Sequence, residues 1–280
     1  MEVSLGNGEP GYALEFDGNE DFVSLPYNDG WDVGSGDFTI ECWFNVPNTS
    51  GAKAIYASEN DCVLGFFLIN DKMGYFASSN GSTWNLLCGD CGGLNDVGST
   101  TLSSNTWYHF AYVRNGNQWT GYINGNVDFS RNQSGIVISR SEPRNIGRWG
   151  AENTRYWLNG SIDEFRFSKG IAHYTSDFTP STYFYPDEHT VALLHFDENE
   201  GNIAHDLSGD DIDGTIYGAI WVESPFSSLP ADWLTFSNFT LTISPGESET
   251  VEVVANASGL ENGDYEGIIS ISTNDPENAM

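Results

Sequence analysis

The sequence predicts an all-β protein: a sandwich or barrel of short strands, followed by a second, smaller and incomplete β-sandwich. Short runs of alternating apolar and polar residues recur about every 8 to 12 residues, with turn residues between them, which is typical of sandwiches and barrels. The 280 residues include 31 Gly and 14% aromatic residues, a composition that favours sheets and turns. No segment has the periodicity of an amphipathic helix.

The strands can be placed from the alternation and from the turns that separate them. Asp17-Gly18 and Asn159-Gly160 are turn dipeptides, because Gly and Asn tolerate the positive φ that tight turns need. Strands are predicted in these segments: two within 11–26, then 37–46, 53–58, 61–69, 72–77, 107–114, 118–123, one starting at 145–147, 158–168, and two within 190–223.

Changes in composition divide the chain into two domains. The first and larger domain is predicted over residues 11–223, and its last part, 190–222, is a terminal acidic hairpin segment. Residues 224–230, SPFSSLP, are predicted to be a linker, and residues 231–280 a partial Ig-like domain. One more strand would be expected after its last residues. Either the sequence stops within that domain, or a neighbouring chain completes its open edge.

The charge balance excludes several classes of partner. The chain has 10 Lys+Arg and 40 Asp+Glu, a net charge of −30, which argues against nucleic acid and anionic membranes. No apolar run reaches the ~18 residues of a membrane span, so no membrane insertion is expected. Residues 1–10 lack the features of a signal peptide. The composition is nevertheless typical of extracellular or cell-surface proteins, so we expect the signal peptide to lie outside this sequence.

Asp163 interrupts the alternation of the strand at 158–168. A carboxylate beside a buried Ile162 needs a partner, because burying an unpaired charge costs several kcal/mol. In a chain this acidic, a metal cation is a more probable partner than Arg. Ca²⁺, which takes oxygen ligands, is the natural candidate. An Asp hydrogen-bonded to N–H groups in a turn is the alternative.

Four segments, in order, resemble the concanavalin A-like, laminin-G-like and pentraxin superfamily of lectin-type jelly rolls. They are YALEFDGNEDFVSLP, DFTIECWF, WYHFAYVRNGNQWTGYINGN and LNGSIDEFRFSKGIAHYTSDFTP. The likeness covers about residues 11–222 and implies a two-sheet antiparallel jelly-roll sandwich, with an incomplete Ig-like β-sandwich after it. The segment TVALLHFDENEG…IWVE is similar to one that often precedes the first motif in bacterial members, and here it follows the body of the domain. The C-terminal stretch is similar to Ig-like repeats of bacterial surface proteins.

The resemblance implies a structural Ca²⁺ held by Asp163 together with Asp17 and main-chain oxygen near Gly18. A second, weaker candidate is the acidic loop that contains Asp206, Asp210, Asp211 and Asp213, where a cation would relieve the repulsion between carboxylates. That loop lacks the spacing of an EF-hand. A solvated loop without metal is the alternative.

The four cysteines are predicted to form disulfides rather than a zinc site, because only Cys88 and Cys91 have the spacing of a zinc knuckle. We favour a Cys88–Cys91 bridge that clips a small loop and a Cys42–Cys62 bridge between neighbouring strands. Zinc bound by all four remains the alternative.

Aromatic residues in or next to loops are candidates for ligand binding, because sugar rings pack their C–H faces on aromatic rings. These candidates are Trp84, Trp149, Tyr156 and Trp157, with packing within the sandwich as the alternative. No pair of carboxylates has the arrangement that glycoside hydrolysis needs.

The prediction is therefore a secreted or cell-surface, non-catalytic binding or adhesion module. We expect it to be stabilised by calcium and to recognise a glycan or an extracellular protein. The alternative is a structural subunit of an extracellular filament or adhesin stalk that self-associates through its C-terminal Ig-like edge.

Overall fold

The computed structural model describes residues 11–89, 91, 95–150, 156–226, 234–236 and 253–255. The chain divides into two compact units, Tyr12–Ser224 and the remainder of the chain. The strands of the first unit are β1 Tyr12–Asp17, β2 Phe22–Leu25, β3 Phe38–Asn45, β4 Ala52–Ser58, β5 Cys62–Ile69, β6 Lys72–Gly81, β7 Tyr108–Asn115, β8 Gln118–Ile123, β9 Asn126–Asn132, β10 Arg144–Ile146, β11 Asn159–Lys169, β12 Thr190–Leu194, β13 Ile203–Ala204, β14 Gly214–Tyr217 and β15 Ile220–Glu223. A single turn of 3-10 helix spans Asp29–Trp31.

These strands form two antiparallel sheets that pack face to face. The first sheet has the order β15-β1-β11-β3-β7-β8-β9, with β12 also paired to β11, and the second has the order β13-β14-β2-β10-β4-β5-β6. The all-β, two-sheet antiparallel sandwich predicted from the sequence is therefore confirmed. The first and last strands are neighbours, since Tyr12 pairs with Glu223.

The core lies between the two sheets and is built from alternate residues of nearly every strand. In β3, for example, Phe38, Ile40, Cys42 and Phe44 are all fully buried and belong to one cluster. Burial of this apolar surface is the main stabilising contribution, at roughly 25 cal/mol per Å².

The segment TIYGAIWVE, predicted as one strand, is two strands in different sheets. β14 belongs to the second sheet and β15 to the first, and Gly218 lies between them with a φ of 73°. A Cβ at Gly218 would lie 1.9 Å from the carboxylate of Asp21. Glycine therefore allows the chain to cross from one sheet to the other at this point.

The outer face of the first sheet is covered by the segment that follows β11. Ala172, Tyr174 and Phe178 pack on β7 and β8. Beneath this segment, the buried carboxylate of Glu41 accepts hydrogen bonds from Arg166 at 2.5 Å and from the Tyr174 hydroxyl at 2.8 Å. This face is closed by packing and by a polar network, which leaves the outer face of the second sheet as the more accessible one.

In the second unit, β16 Leu234–Phe236 pairs antiparallel with β17 Val253–Ala255. The rest of the predicted Ig-like domain lies outside the described residues. Within the described part of the chain, no helix is long and apolar enough to cross a membrane.

Candidate functional site

A pocket of about 250 Å³ lies on the outer face of the second sheet, over β4, β5 and β6. Its lining is predominantly aromatic and aliphatic, and none of the described residues that line it carries a charge. The lining residues are Ala52, Phe67, Ile69, Phe76, Trp84, Cys91, Trp149 and Tyr156. We call this the aromatic pocket.

The aromatic rings of the pocket form one continuous cluster. The ring centroids of Phe67 and Phe76 are 4.5 Å apart, and those of Phe76 and Trp84 are 5.3 Å apart. Trp84 and Trp149 are separated by 5.5 Å, and Trp149 stacks on Tyr156 at 5.5 Å with an angle of 19° between the ring planes. Such offset and edge-to-face contacts hold rings in fixed orientations.

The floor of the pocket follows from the pattern of β5. Alternate side chains of a strand point to opposite faces, so Phe66 enters the core while Phe67 points to the outer face. Phe76 of β6 lies on the same outer face as Phe67. Two consecutive aromatic residues in one strand, Phe66 and Phe67, indicate that side chains pack on both faces of the strand. This was the pattern in the sequence from which the floor of the pocket could have been predicted.

The loop that carries Trp84 is fixed by a buried carboxylate. The side chain of Asp96 is 2% exposed, accepts a hydrogen bond from the backbone N–H of Cys88 at 2.7 Å and forms an ion pair with Arg131. The backbone N–H groups of Leu86 and Leu87 both donate to the carbonyl of Ala77 in β6. The loop is thereby held against the sheet edge next to the pocket.

Two glycines let this loop lie close to the sheet. A Cβ on Gly89 would come within 3.0 Å of the Cα of Gly74 and 2.9 Å of the side chains of Ile69 and Phe76. Any larger side chain at Gly89 would push the loop away from β6, because interiors are packed to crystal-like density.

Trp149 and Tyr156 come from a second loop, between β10 and β11. The backbone N–H of Tyr156 donates to the carbonyl of Trp149 at 3.2 Å, and the N–H of Ala54 in β4 donates to the carbonyl of Tyr156 at 2.9 Å. The adjacent Arg148 forms an ion pair with Glu59 at 2.6 Å. These contacts tie both ends of the loop to the second sheet.

Of the four aromatic residues predicted from the sequence, the structure brings three together. Trp84, Trp149 and Tyr156 line the pocket, whereas Trp157 does not and instead lies 6.1 Å from the ring of Phe22. Sequence reasoning missed Phe67, Phe76, Ala52, Ile69 and the position of Cys91.

The residues implied as calcium ligands are not brought together. Asp17 is the register partner of Asn159, and Leu14 that of Ile162. Asp163 is four residues from Asn159, about 13 Å along an extended strand, so Asp163 and the turn at Asp17 and Gly18 do not form one site. Among the described residues, no group of three or more acidic, His or Cys side chains could hold a metal ion.

Asp163 has a hydrogen-bond partner within the protein. It is 3% exposed, and its carboxylate accepts a hydrogen bond from the hydroxyl of Ser224. Burial and the neighbouring carboxylate of Glu164 raise the pKa of Asp163 well above its usual range. A hydroxyl distant in sequence thus supplies a hydrogen bond to this buried carboxylate.

The acidic loop is organised by backbone N–H groups of the loop itself and of β12. Asp206 accepts hydrogen bonds from the N–H groups of Leu193 at 2.9 Å and of Ser208 and Ile212 at 3.0 Å. Asp213 accepts one from the N–H of Asp206 at 2.8 Å. Asp206 and Asp213 therefore shape the loop, while the structure gives Asp210 and Asp211 no metal-binding arrangement.

A disulfide joins Cys88 and Cys91, whereas Cys42 and Cys62 are free and buried. The predicted Cys42–Cys62 bridge is wrong. Cys42 lies on β3 in the first sheet and Cys62 on β5 in the second. Facing sheets are about 10 Å apart, beyond the ~7 Å between Cα atoms that a disulfide spans. Four cysteines so distributed do not form a zinc site either.

The profile of the concanavalin A-like lectin/glucanases superfamily (Laminin_G_3) matches residues 17–172, more than half of the chain. The chain belongs to this superfamily. No curated protein sequence matches it. The matched region contains every residue that lines the aromatic pocket.

Several solved structures are similar to this chain at low sequence identity. One is a candidate carbohydrate-binding protein from Bacteroides ovatus ATCC 8483, with a TM-score of 0.60 and 18% identity, over 78% of this chain and 61% of that one. Domain 4 of an extracellular GH43 arabinanase from Geobacillus stearothermophilus, in complex with arabinotriose, has a TM-score of 0.45 and 17% identity, over 61% of this chain and 77% of that one. A heptameric SAP-like pentraxin from Limulus polyphemus has a TM-score of 0.49 and 13% sequence identity, over 78% of this chain and 98% of that one. The chain thus spans about three fifths of the Bacteroides protein.

Proposed function

We propose that this protein is a non-catalytic carbohydrate-binding module and that the aromatic pocket is its binding site. The observation that carries the proposal is the cluster of Trp84, Trp149 and Tyr156 over a floor of Phe67 and Phe76. Ligand sites in proteins are concave, largely apolar and fixed by a few polar groups. Aromatic rings in such a site can stack against the C–H faces of sugar rings.

A polar group is also available at this site. The indole Nε1 of Trp149 is buried and has no hydrogen-bond partner among the described residues. An unpaired buried N–H costs about 1–3 kcal/mol, so a sugar oxygen that reached this atom would add to the affinity. Membership of a lectin superfamily and the fold shared with the Bacteroides protein support the same reading.

We further propose that the module acts outside the cell or at the cell surface, in keeping with its net charge of −30 and its disulfide. Calcium stabilisation stays a prediction. The ion would need a set of oxygen ligands other than Asp163 with Asp17 and Gly18. Calorimetric titration of EDTA-treated protein with Ca²⁺ is the measurement that checks it.

A glycan array of immobilised neutral and charged saccharides, probed with the full chain, tests the binding function. We expect hits that are lost in the double variant Trp149→Ala/Tyr156→Ala and kept in Tyr217→Ala. Tyr217 is a matched control because it is an aromatic residue 47% exposed outside the pocket. An array without hits, in the presence and absence of Ca²⁺, would contradict the proposal.

A further inference from the structure

We infer that the aromatic pocket takes the terminal sugar of a neutral glycan chain rather than a stretch within the chain. This inference rests on the carbohydrate-binding function proposed above. It adds the charge class of the ligand and the part of the glycan that is recognised. Three features of the pocket carry it: its volume, its closed wall and its lack of charge.

The volume limits the ligand. At about 250 Å³, the pocket is smaller than the roughly 300–1,000 Å³ typical of sites for drug-sized ligands. It therefore has room for about one or two sugar rings. A site for the interior of a polysaccharide would instead be an extended groove that follows several sugar units.

The wall blocks passage of a chain across the sheet. A groove for an internal stretch must be open at two ends. Here the loop with Trp84 and the loop with Trp149 meet, because their ring centroids are only 5.5 Å apart. Phe67 contacts both indole rings from below, at 6.3 Å and 5.8 Å. The pocket is closed on this side.

The exposed rim of the pocket at Ala52 is where a ligand can enter. Ala52, the first residue of β4, lines the pocket and is itself exposed. A glycan chain whose end is in the pocket can continue into solvent past this small side chain. With the aromatic wall on one side and room for about one or two sugar rings, the bound unit is terminal.

The charge of the site favours neutral sugars. None of the described lining residues is charged. The two cations next to lining residues in sequence are both engaged, Lys53 by the carbonyl of Ser50 and Arg148 by the carboxylate of Glu59. The chain as a whole carries a net charge of −30, and a field of that sign repels sialic and uronic acids. Neutral sugars are not repelled by this field and can stack their C–H faces on the aromatic rings.

The first test measures how affinity depends on chain length. Isothermal titration calorimetry of the full chain would use cello-, xylo-, manno- and arabino-oligosaccharides, from monosaccharide to hexasaccharide. In a series that binds, we expect the Kd to change less than about twofold beyond the disaccharide. We also expect lactose to bind at least as tightly as 3′-sialyllactose. Gains of about tenfold from disaccharide to hexasaccharide, or tighter binding of sialyllactose, would overturn the inference while leaving the carbohydrate-binding function intact.

The second test counts chain ends and uses a pocket-filling variant. Partial hydrolysis of the matching polysaccharide at constant mass should increase the amount of protein bound, in proportion to the new ends.

Ala52→Phe fills the entrance from an exposed position and should abolish this binding with little change in Tm. Ser50→Phe, also exposed but outside the lining, should retain it. Loss of binding on hydrolysis, or full binding by Ala52→Phe, would overturn the inference. No binding in any series would remove the proposed function as well.

Discussion

Trp149 and Tyr156 stack with ring centroids 5.5 Å apart, and the backbone N–H of Tyr156 donates to the carbonyl of Trp149. The two residues thus form a paired wall of the aromatic pocket, with the main chain holding the rings parallel. Their placement is fixed before any ligand arrives, because the same loop is hydrogen-bonded to β4 through Ala54. Preorganised rings bind with a smaller loss of conformational entropy than mobile ones.

The stacked pair should contribute directly to affinity. We expect Trp149→Ala and Tyr156→Ala each to raise the Kd for a bound saccharide at least about tenfold, which corresponds to about 1.4 kcal/mol. Calorimetry on the wild type and the variants measures this. Tyr217→Ala should leave the Kd unchanged, and equal losses in all three variants would argue against a localised site.

Asp96 should control the pocket through the loop that carries Trp84. Asp96→Ala leaves the backbone N–H of Cys88 without its acceptor and removes the ion pair with Arg131. We expect a loss of about 1–3 kcal/mol in the free energy of unfolding and weaker saccharide binding. Urea unfolding and calorimetry measure the two effects.

The matched control for Asp96 is a second ion pair. Asp61→Ala removes a pair with Arg140 in which both side chains are well exposed, 42% and 38%. Exposed pairs contribute at most about 1 kcal/mol, so this variant should unfold at nearly the wild-type urea concentration and bind normally. Similar losses in both variants would mean that burial of Asp96 is unimportant.

The cysteines should differ in accessibility and in oxidation state. We expect almost no reaction of the native protein with Ellman's reagent, because Cys42 and Cys62 are buried and burial raises the pKa of Cys62 to about 11. Denaturation without reductant should expose two thiols, and prior reduction should expose all four. Detection of four thiols after denaturation without reductant would contradict the Cys88–Cys91 bridge. Detection of no thiols would indicate that Cys42 and Cys62 are also bridged.

The Glu41–Arg166 pair should make stability depend on acid pH. Burial would raise the pKa of Glu41, but the charge of Arg166 and the contact with His109 outweigh it and lower the pKa from 4.5 to about 2. A depressed pKa stabilises the fold above the ordinary value, and this contribution is lost as the pH falls from 4.5 towards 2.

A Glu41→Gln variant isolates this contribution. At neutral pH it should lose about 3–5 kcal/mol in the free energy of unfolding, since one partner of a buried ion pair is removed. The difference from the wild type should shrink as the pH falls below 4.5. Glu15→Gln, at an exposed position of β1, should differ little from the wild type across this range. If the difference in the free energy of unfolding between Glu41→Gln and the wild type stayed constant with pH, the charge of Glu41 would not contribute to stability.

Local patterns were sufficient to predict the sandwich and many of its strands. The predicted segment 158–168 is observed as Asn159–Lys169 and the predicted 37–46 as Phe38–Asn45. Alternation of apolar and polar residues reports which side chains face the core, and turn dipeptides report where the chain reverses. Both are properties of neighbouring residues, so they can be recognised without knowing which strands pair.

The site depended on contacts between residues far apart in the chain. Strand register separates Asp163 from Asp17, the sheet order separates Cys42 from Cys62, and the meeting of two loops joins Trp84 to Trp149 but leaves out Trp157. Residue types in the sequence were enough to nominate the aromatic candidates. Which of them share a pocket was decided by the packing of loops on the outer face of the second sheet, because contacts of that kind leave no local pattern in the sequence.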